Sequence, residues 1–443
     1  MAPVFSGELP KGRIVEKVVC AADARQSYAL YLPSAYDAAR AWPIVYCFDP
    51  GARGRVAVQQ FREGAERYGY VVAGSYNSQN GPVAPSLEAL RAMWLDTHRT
   101  LSLDDRRIYL AGMSGGARTA TGFLETGFFA GVIAESAGFP QAETPKNFAL
   151  PLFGTAGADD FNYAEMRLLD RELEARGSPH RVVVFPGTHG WAPPSVCAAA
   201  LGWLDLAAMR AGTKPLDAAL IHALFLNDIA GAQAAEQAHD IIAAYARNRW
   251  LAADYKGWED TAPFERRVAE LRESKEYRKA LKAEDRAAIE QHDLTEKILS
   301  LARQLAAPGR EEAASALDDA AADLRRRAHA ARDSEDRRLA RRAQLDAIAW
   351  EREESWDRVG KKDYAAAAGS LEIALKLDPD NPEVLYSLAS VYALENDQGR
   401  AVAALKRAVA KGFRDFPRLE RDPSFDSVRG REDFRTLAAG SAR

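Results

Sequence analysis

Residues 107–117 read Arg-Ile-Tyr-Leu-Ala-Gly-Met-Ser-Gly-Gly-Ala: an apolar, β-prone run, then G-x-S-x-G, then the small residues of a helix start. That spacing has a mechanical reason. A serine lifted onto a sharp strand-to-helix turn leaves no room for neighbouring side chains. Gly112 and Gly116 supply the room, and the Ser114 hydroxyl is left exposed at the top of a sheet. The same turn opens a helix, so the Gly115 amide faces any oxyanion that forms on a carbonyl attacked by Ser114. A serine hydroxyl is a poor nucleophile near neutral pH, and it needs a base that is itself oriented by a carboxylate. Two later segments offer both. The run 150–155 leads into Gly157-Ala158-Asp159-Asp160-Phe161-Asn162-Tyr163, and the run 181–185 leads into Pro186-Gly187-Thr188-His189-Gly190-Trp191. The chain order serine, acid, histidine is the one that accompanies a strand–elbow–helix serine.

These residues converge only if their strands lie in one sheet. Residues 13–210 alternate β-rich and helical stretches. Strands are expected at 13–19, 26–32, 43–49, 69–75, 107–112, 131–135, 150–155 and 181–185, and helices near 55–67, 85–101, 115–126, 162–176 and 195–210. Two strands without an intervening helix, followed by strict alternation, predict an α/β architecture: a mostly parallel sheet with an antiparallel start and helices on both faces. Runs such as Pro-Ile-Val-Tyr-Cys-Phe fit strands buried on both sides. Ser114, Asp159 or Asp160, and His189 then emerge on one sheet edge, where open parallel sheets build their sites.

At this point the chain resembles the α/β-hydrolase fold, and within it the esterase D, feruloyl esterase and polyhydroxybutyrate-depolymerase-like group, over residues 13–210. The resemblance implies a carboxylic ester as the small-molecule substrate, with no cofactor and no metal. It implies Ser114 as nucleophile, His189 as general base and then acid, and Asp160, through the family's G-x-x-D, as orienting acid. The second oxyanion donor of that fold comes from the loop after the third strand, usually H-G-x-x. Here the loop reads Phe48-Asp49-Pro50-Gly51-Ala52-Arg53-Gly54, with Asp49 in place of histidine, and a backbone amide of Gly51 or Ala52 is the expected donor. Arg53 either holds a substrate carboxylate or carbonyl at the pocket mouth or pairs with Asp49. The loop Tyr76-Asn77-Ser78-Gln79-Asn80-Gly81-Pro82 lies beside the same edge, and Asn77 and Gln79 are pocket candidates. Trp191 forms an aromatic wall for an acyl group or packs against the base. The same triad would also serve a peptidase or an acyltransferase.

The rest of the 443 residues is helical in pattern. The pattern changes at Ala211-Gly212-Thr213-Lys214-Pro215. Breaks fall at Trp258-Glu259-Asp260-Thr261-Ala262-Pro263 and at Pro308-Gly309. Residues 310–349 carry many charges and little but alanine and leucine to bury, which predicts one long solvated helix or a helical hairpin. Beyond them a repeat of about 34 residues resembles tetratricopeptide helix pairs over 360–411. Asp363, Tyr364, Ala367, Leu371, Ala374 and Pro379 are followed one period later by Tyr392, Ala401, Leu405 and Ala408. About three repeats are needed for independent stability, so this part is expected to pack on the preceding helices, with 413–437 as a cap. The division expected is 1–212 for the α/β domain, 213–350 for linking helices and 351–443 for the repeats. The repeats suggest a protein partner or self-association. They also allow the opposite weighting, in which they are the working surface and the α/β domain a degenerate scaffold.

Bulk properties narrow the field. A net charge of −4 argues against nucleic acid or an anionic membrane as the main partner. No segment reads as a membrane span, and residues 1–8 lack the basic-then-apolar pattern of a signal peptide. As it stands the expectation is a cytoplasmic protein, or a periplasmic or secreted one if a leader has been removed. Cys20, Cys47 and Cys197 are too few for a disulfide framework, and Cys47, inside an apolar strand, reads as a small buried hydrophobe. The histidines other than His189 show no metal-site spacing.

Overall fold

The structure, a computed structural model, describes residues 9–142, 144–146, 148–305 and 310–439. Eight strands form one sheet: β1 (Ile14–Val19), β2 (Ser27–Tyr31), β3 (Trp42–Phe48), β4 (Val71–Ser75), β5 (Leu103–Met113), β6 (Gly131–Glu135), β7 (Leu152–Gly157) and β8 (His180–Phe185). Their spatial order is β1-β2-β4-β3-β5-β6-β7-β8. The β1–β2 and β2–β4 pairs are antiparallel, and every later pair is parallel. This is the α/β-hydrolase arrangement.

Helices α1 (Gly54–Tyr68), α2 (Val83–Thr100), α3 (Gly115–Phe123), α4 (Tyr163–Arg176) and α5 (Pro194–Arg210) make the crossovers. Side chains alternate across a strand, and β3 shows the consequence. Ile44, Tyr46 and Phe48 enter the core with Met93 of α2, Phe123 of α3 and Met166 of α4. Val45 and Cys47 enter the opposite core with Phe61 of α1 and Leu201 of α5. Cys47 is fully buried as a free thiol, and its strand is covered on both faces, as the unbroken apolar run required.

The helical part follows as α6 (Ala218–Gln237), α7 (Ile241–Asp254), α8 (Ala262–Glu273), α9 (Lys275–Gln304), α10 (Arg310–Ala328), α11 (Glu335–Gly360), α12 (Tyr364–Leu377), α13 (Pro382–Leu394), α14 (Gln398–Ala410), α15 (Phe416–Arg421) and α16 (Glu432–Ala438). The chain forms two compact units, Met1–Asp285 and Arg286–Arg443. The dividing line is neither 212 nor 350, for a packing reason. Ile221, Phe225, Leu251 and Tyr255 of α6, α7 and the turn after them are buried in the sheet's own core. The first unit therefore absorbs the beginning of the expected linking segment, where Ala235, Ala244, Tyr245, Leu271 and Tyr277 of α6–α9 also form a small cluster of their own.

In the second unit residues 310–349 form the hairpin alternative, but not a solvated one. Leu317, Ala321 and Leu324 of α10 and Ala340, Ala343 and Ala347 of α11 are buried with the repeat residues Ala367, Leu371, Leu385, Ala401 and Leu405. Alanine faces let helices approach closely, so a composition poor in large apolar residues still builds a core. The repeats do pack on the preceding helices, and α15 and α16 bury Phe416, Leu419 and Phe434 against them. The break between α7 and α8 falls at the expected place, while Pro308-Gly309 lies outside the described residues. Among the described residues one helix, α6, is long and apolar enough to cross a membrane by length and composition alone, with a mean hydropathy of 1.2. Its Ile221, Phe225 and Ala232 face the core.

Candidate active site

Strand β5 runs straight into Ser114, whose backbone is left-handed at φ 55°, ψ −125°. L-residues avoid this region, and it persists only where the surroundings enforce it. They do so from both sides. The Ser114 amide donates to the Glu135 carbonyl on β6 (2.8 Å), and its carbonyl accepts from the Ala117 and Arg118 amides of α3 (2.9 and 3.1 Å). The turn also admits close backbone approach: a Cβ on Gly112 would stand 2.1 Å from the Gly116 carbonyl oxygen, and one on Gly116 would stand 2.0 Å from that of Phe48. The Gly115 amide, first in α3, meets no acceptor among the described residues.

The loops after β7 and β8 are laced together. Ala158 and Asp159 donate their amides to the carbonyls of Phe185 and Gly187 (2.8 Å each). This register puts Asp160, not Asp159, against the histidine: Asp160 Oδ1 lies 2.8 Å from His189 Nδ1. The carboxylate is fully buried and accepts the Asn162 amide as well (2.8 Å). The His189 ring stacks on Phe161 with centroids 3.9 Å apart. With Nδ1 committed to Asp160, Nε2 is the nitrogen left for chemistry. The Ser114 hydroxyl makes no hydrogen bond among the described residues.

Two residues at the end of β6, which sequence reasoning missed, hold the histidine loop from behind. Ser136, itself at φ 58°, donates its hydroxyl to the Gly190 carbonyl (2.9 Å). Glu135 Oε2 accepts the Ala192 amide at 2.6 Å, and Oε1 accepts from the Cys197 thiol. Burial raises the Glu135 carboxyl to about 7. Because folding raises its pKa from the ordinary 4.5, this group's stabilising contribution is complete below about pH 4.5 and is lost as pH rises to about 7. Above that the buried charge costs on the order of 3 kcal/mol. Glu135→Gln is therefore expected to flatten the stability–pH curve across that interval, which denaturant titrations at pH 4.5, 6 and 8 will measure.

The loop after β3 departs from expectation. The Asp49 side chain is buried and turned back on its own loop, accepting the Gly51 amide (2.8 Å) and the Arg53 amide (3.3 Å), while its carbonyl accepts the Ala52 amide (3.1 Å). Neither Gly51 nor Ala52 has an amide to spare for an oxyanion, which corrects both assignments. Of the two readings of Arg53, pairing is the one observed, as Nε and Nη2 reach the two Asp49 oxygens at 2.8 and 3.0 Å. Trp191 donates Nε1 to Asp49 Oδ2 (2.8 Å) and packs edge-on against Phe61, so its ring is fixed beside the histidine loop. Asn77 is not a pocket group: its carboxamide accepts from the Ser27 amide and donates to the Arg25 carbonyl, tying the β1–β2 loop to the end of β4. Gln79 is exposed and bridges Gly51 through the backbone.

Sheet order and elbow together define the class of the first unit, an α/β-hydrolase-type domain, and the second unit carries tetratricopeptide repeats. The tetratricopeptide repeat family model matches residues 358–421. No curated protein matches the sequence. Among solved structures the chain is similar to the fluorophosphonate-binding serine hydrolase FphF of Staphylococcus aureus, with 15% identity over 40% of this chain and 92% of that one and a TM-score of 0.33. It is also similar to a Pyrobaculum calidifontis esterase, with 16% identity over 45% and 85% of the two chains and a TM-score of 0.36. A third likeness is to esterase B of Lactobacillus rhamnosis, with 16% identity over 47% and 90% and a TM-score of 0.37.

Proposed function

We propose that the first unit is a serine hydrolase that cleaves carboxylic esters through an acyl-enzyme, with Ser114 as nucleophile, His189 as base and acid, and Asp160 as orienting acid. The observation that carries the reading is the buried Asp160 carboxylate bonded to His189 Nδ1 at 2.8 Å, set on the sheet edge where Ser114 stands in a strained turn. In the reaction His189 Nε2 takes the hydroxyl proton as Oγ bonds the acyl carbon. The negative charge passes to the carbonyl oxygen opposite the Gly115 amide. Collapse expels the alkoxide, which leaves with the proton from His189. Water then repeats the sequence against the Ser114 ester and frees the acid. Asp160 fixes the tautomer and stabilises the imidazolium, so its benefit appears in the transition state.

The test is labelling by a fluorophosphonate probe together with turnover of a p-nitrophenyl ester panel. Asp160→Ala and His189→Ala are each expected to lower kcat by roughly 10³–10⁴-fold or more, and Asp159→Ala by less than about threefold. Equal losses at Asp159 and Asp160 would refute the assignment of the acid. Failure of a folded wild-type chain to label or turn over any ester would refute the hydrolase.

A further inference from the structure

The hydrolytic reading leaves one part of the chemistry unsupplied. As the acyl carbonyl becomes tetrahedral a full charge develops on its oxygen, and one amide, that of Gly115, faces it. The loop that would ordinarily add a second donor has turned its amides inward: those of Gly51 and Arg53 onto the Asp49 carboxylate, and that of Ala52 onto the Asp49 carbonyl. The neighbouring loop, after β4, holds a group with the complementary property. Asn80 is fastened by its own amide to the Pro50 carbonyl (2.9 Å), next to the backbone bridge between Gly51 and Gln79. Its carboxamide projects over the residue that follows the nucleophile. A Cβ on Gly115 would lie 1.9 Å from Asn80 Oδ1, 2.8 Å from Cγ and 3.4 Å from Nδ2, so the space a side chain would take at that position is already filled by Asn80.

That carboxamide is not employed in the fold. Asn80 Oδ1 is buried and has no hydrogen-bond partner, and the side-chain nitrogen makes no hydrogen bond among the described residues. Asn77, three positions earlier in the same loop, shows the contrast, with both ends of its amide bonded. An unpaired buried amide costs stability and is retained where something else will meet it. The two ends of an asparagine amide differ only by a half-turn about Cβ–Cγ, so the donor end reaches the place where Oδ1 stands. Side-chain amides serve as oxyanion donors in acyl transfer, because a preorganised N–H aimed at the developing charge needs no reorganisation when the charge appears.

We propose that Asn80 is the second oxyanion donor of this site, its Nδ2 hydrogen-bonding the acyl oxygen together with the Gly115 amide. This rests on the serine-hydrolase reading above and adds to it a residue that touches the reacting atoms. It also explains why the position after Ser114 is glycine: any side chain there would displace the donor.

The experiment measures kcat and KM with p-nitrophenyl acetate and butyrate, and fluorophosphonate labelling rates, for wild type, Asn80→Ala and the near-isosteric Asn80→Asp, each checked by circular dichroism. Asn80→Ala is expected to lose about 10²–10³-fold in kcat with KM moved less than about threefold, and to label correspondingly slowly. Asn80→Asp keeps the shape but places an acceptor where a donor is needed, and is expected to lose at least as much. It carries the test if the alanine variant does not fold. Wild-type kcat in a folded Asn80→Ala or Asn80→Asp chain, or a change confined to KM, overturns the proposal and leaves the hydrolase standing. A wild-type chain that neither labels nor turns over ester overturns both.

Discussion

Ser114→Gly is expected to abolish ester turnover and, in the same molecule, to raise stability. Removing the nucleophile of a triad costs roughly 10⁴–10⁶-fold in kcat, since base and acid then have nothing to activate. The stability gain comes from the backbone. A non-glycine residue held at φ 55°, ψ −125° stores about 1–3 kcal/mol of strain. Glycine adopts that conformation freely but gives back about 0.5–1 kcal/mol through its more disordered unfolded state. The net gain should be about 1 kcal/mol. Ser114→Ala separates the two effects, because it removes the oxygen and keeps the Cβ: turnover should vanish with no comparable gain in stability. Denaturant unfolding of the three chains, beside the ester assay, reads both quantities. Retained turnover in either variant within about tenfold of wild type would remove Ser114 from the mechanism. A glycine variant less stable than wild type would mean that the turn is not strained.

Much of the first unit was legible in the sequence, because its strands are buried on both faces and therefore read as unbroken apolar runs. The exception is instructive. Strand β5 starts at Leu103, not near 107, since Asp104, Asp105 and Arg106 interrupt the run while Trp42 still pairs with Leu103 across an irregularity in the register. The elbow was legible because its glycines are dictated by backbone approach, a local requirement. The preference for Asp160 over Asp159 had only the spacing G-x-x-D behind it, and in the structure it depends on the amide of Asp159 reaching Gly187 across two loops. The loop after β3 did carry a local signal that went unread. Asp49-Pro50-Gly51 is the sequence of an Asx turn, in which the aspartate side chain captures the amide two residues on, and the structure forms that bond. The clamp of Glu135 and Ser136 on the histidine loop, and the position of Asn80, are tertiary facts with no trace in spacing. In the helical half, charge density suggested solvent exposure where alanine stripes make a core, because alanine contributes little to a hydrophobicity count and much to close packing.

The largest stability effect in the chain is expected at a position that touches no substrate. Gly116→Ala would place a methyl group 2.0 Å from the Phe48 carbonyl oxygen, well inside contact distance and against backbone, which has no rotamer to escape into. Phe48 cannot retreat, because β3 lies between β4 and β5 with both ladders paired. Nor can α3, whose first turn is anchored to Ser114 by the Ala117 and Arg118 amides. Relief requires prising the start of α3 from the sheet, which gives up the burial of Ala120 and Phe123 and costs several kcal/mol, a large part of the 5–15 kcal/mol that typically holds a domain together. The variant should be insoluble or lack the first unit's cooperative unfolding transition. Gly369→Ala, in α12, supplies the contrast. Nothing lies within 4 Å of its added carbon, so the better helix former should stabilise the second unit by about 0.5–1 kcal/mol. A folded, active Gly116→Ala chain would show that the approach of α3 to β3 is dispensable. The turn that leaves Asp49 beside Trp191 and the turn that lifts Ser114 would then be independent structures, and the close packing beneath them would not be what sets the geometry of the site.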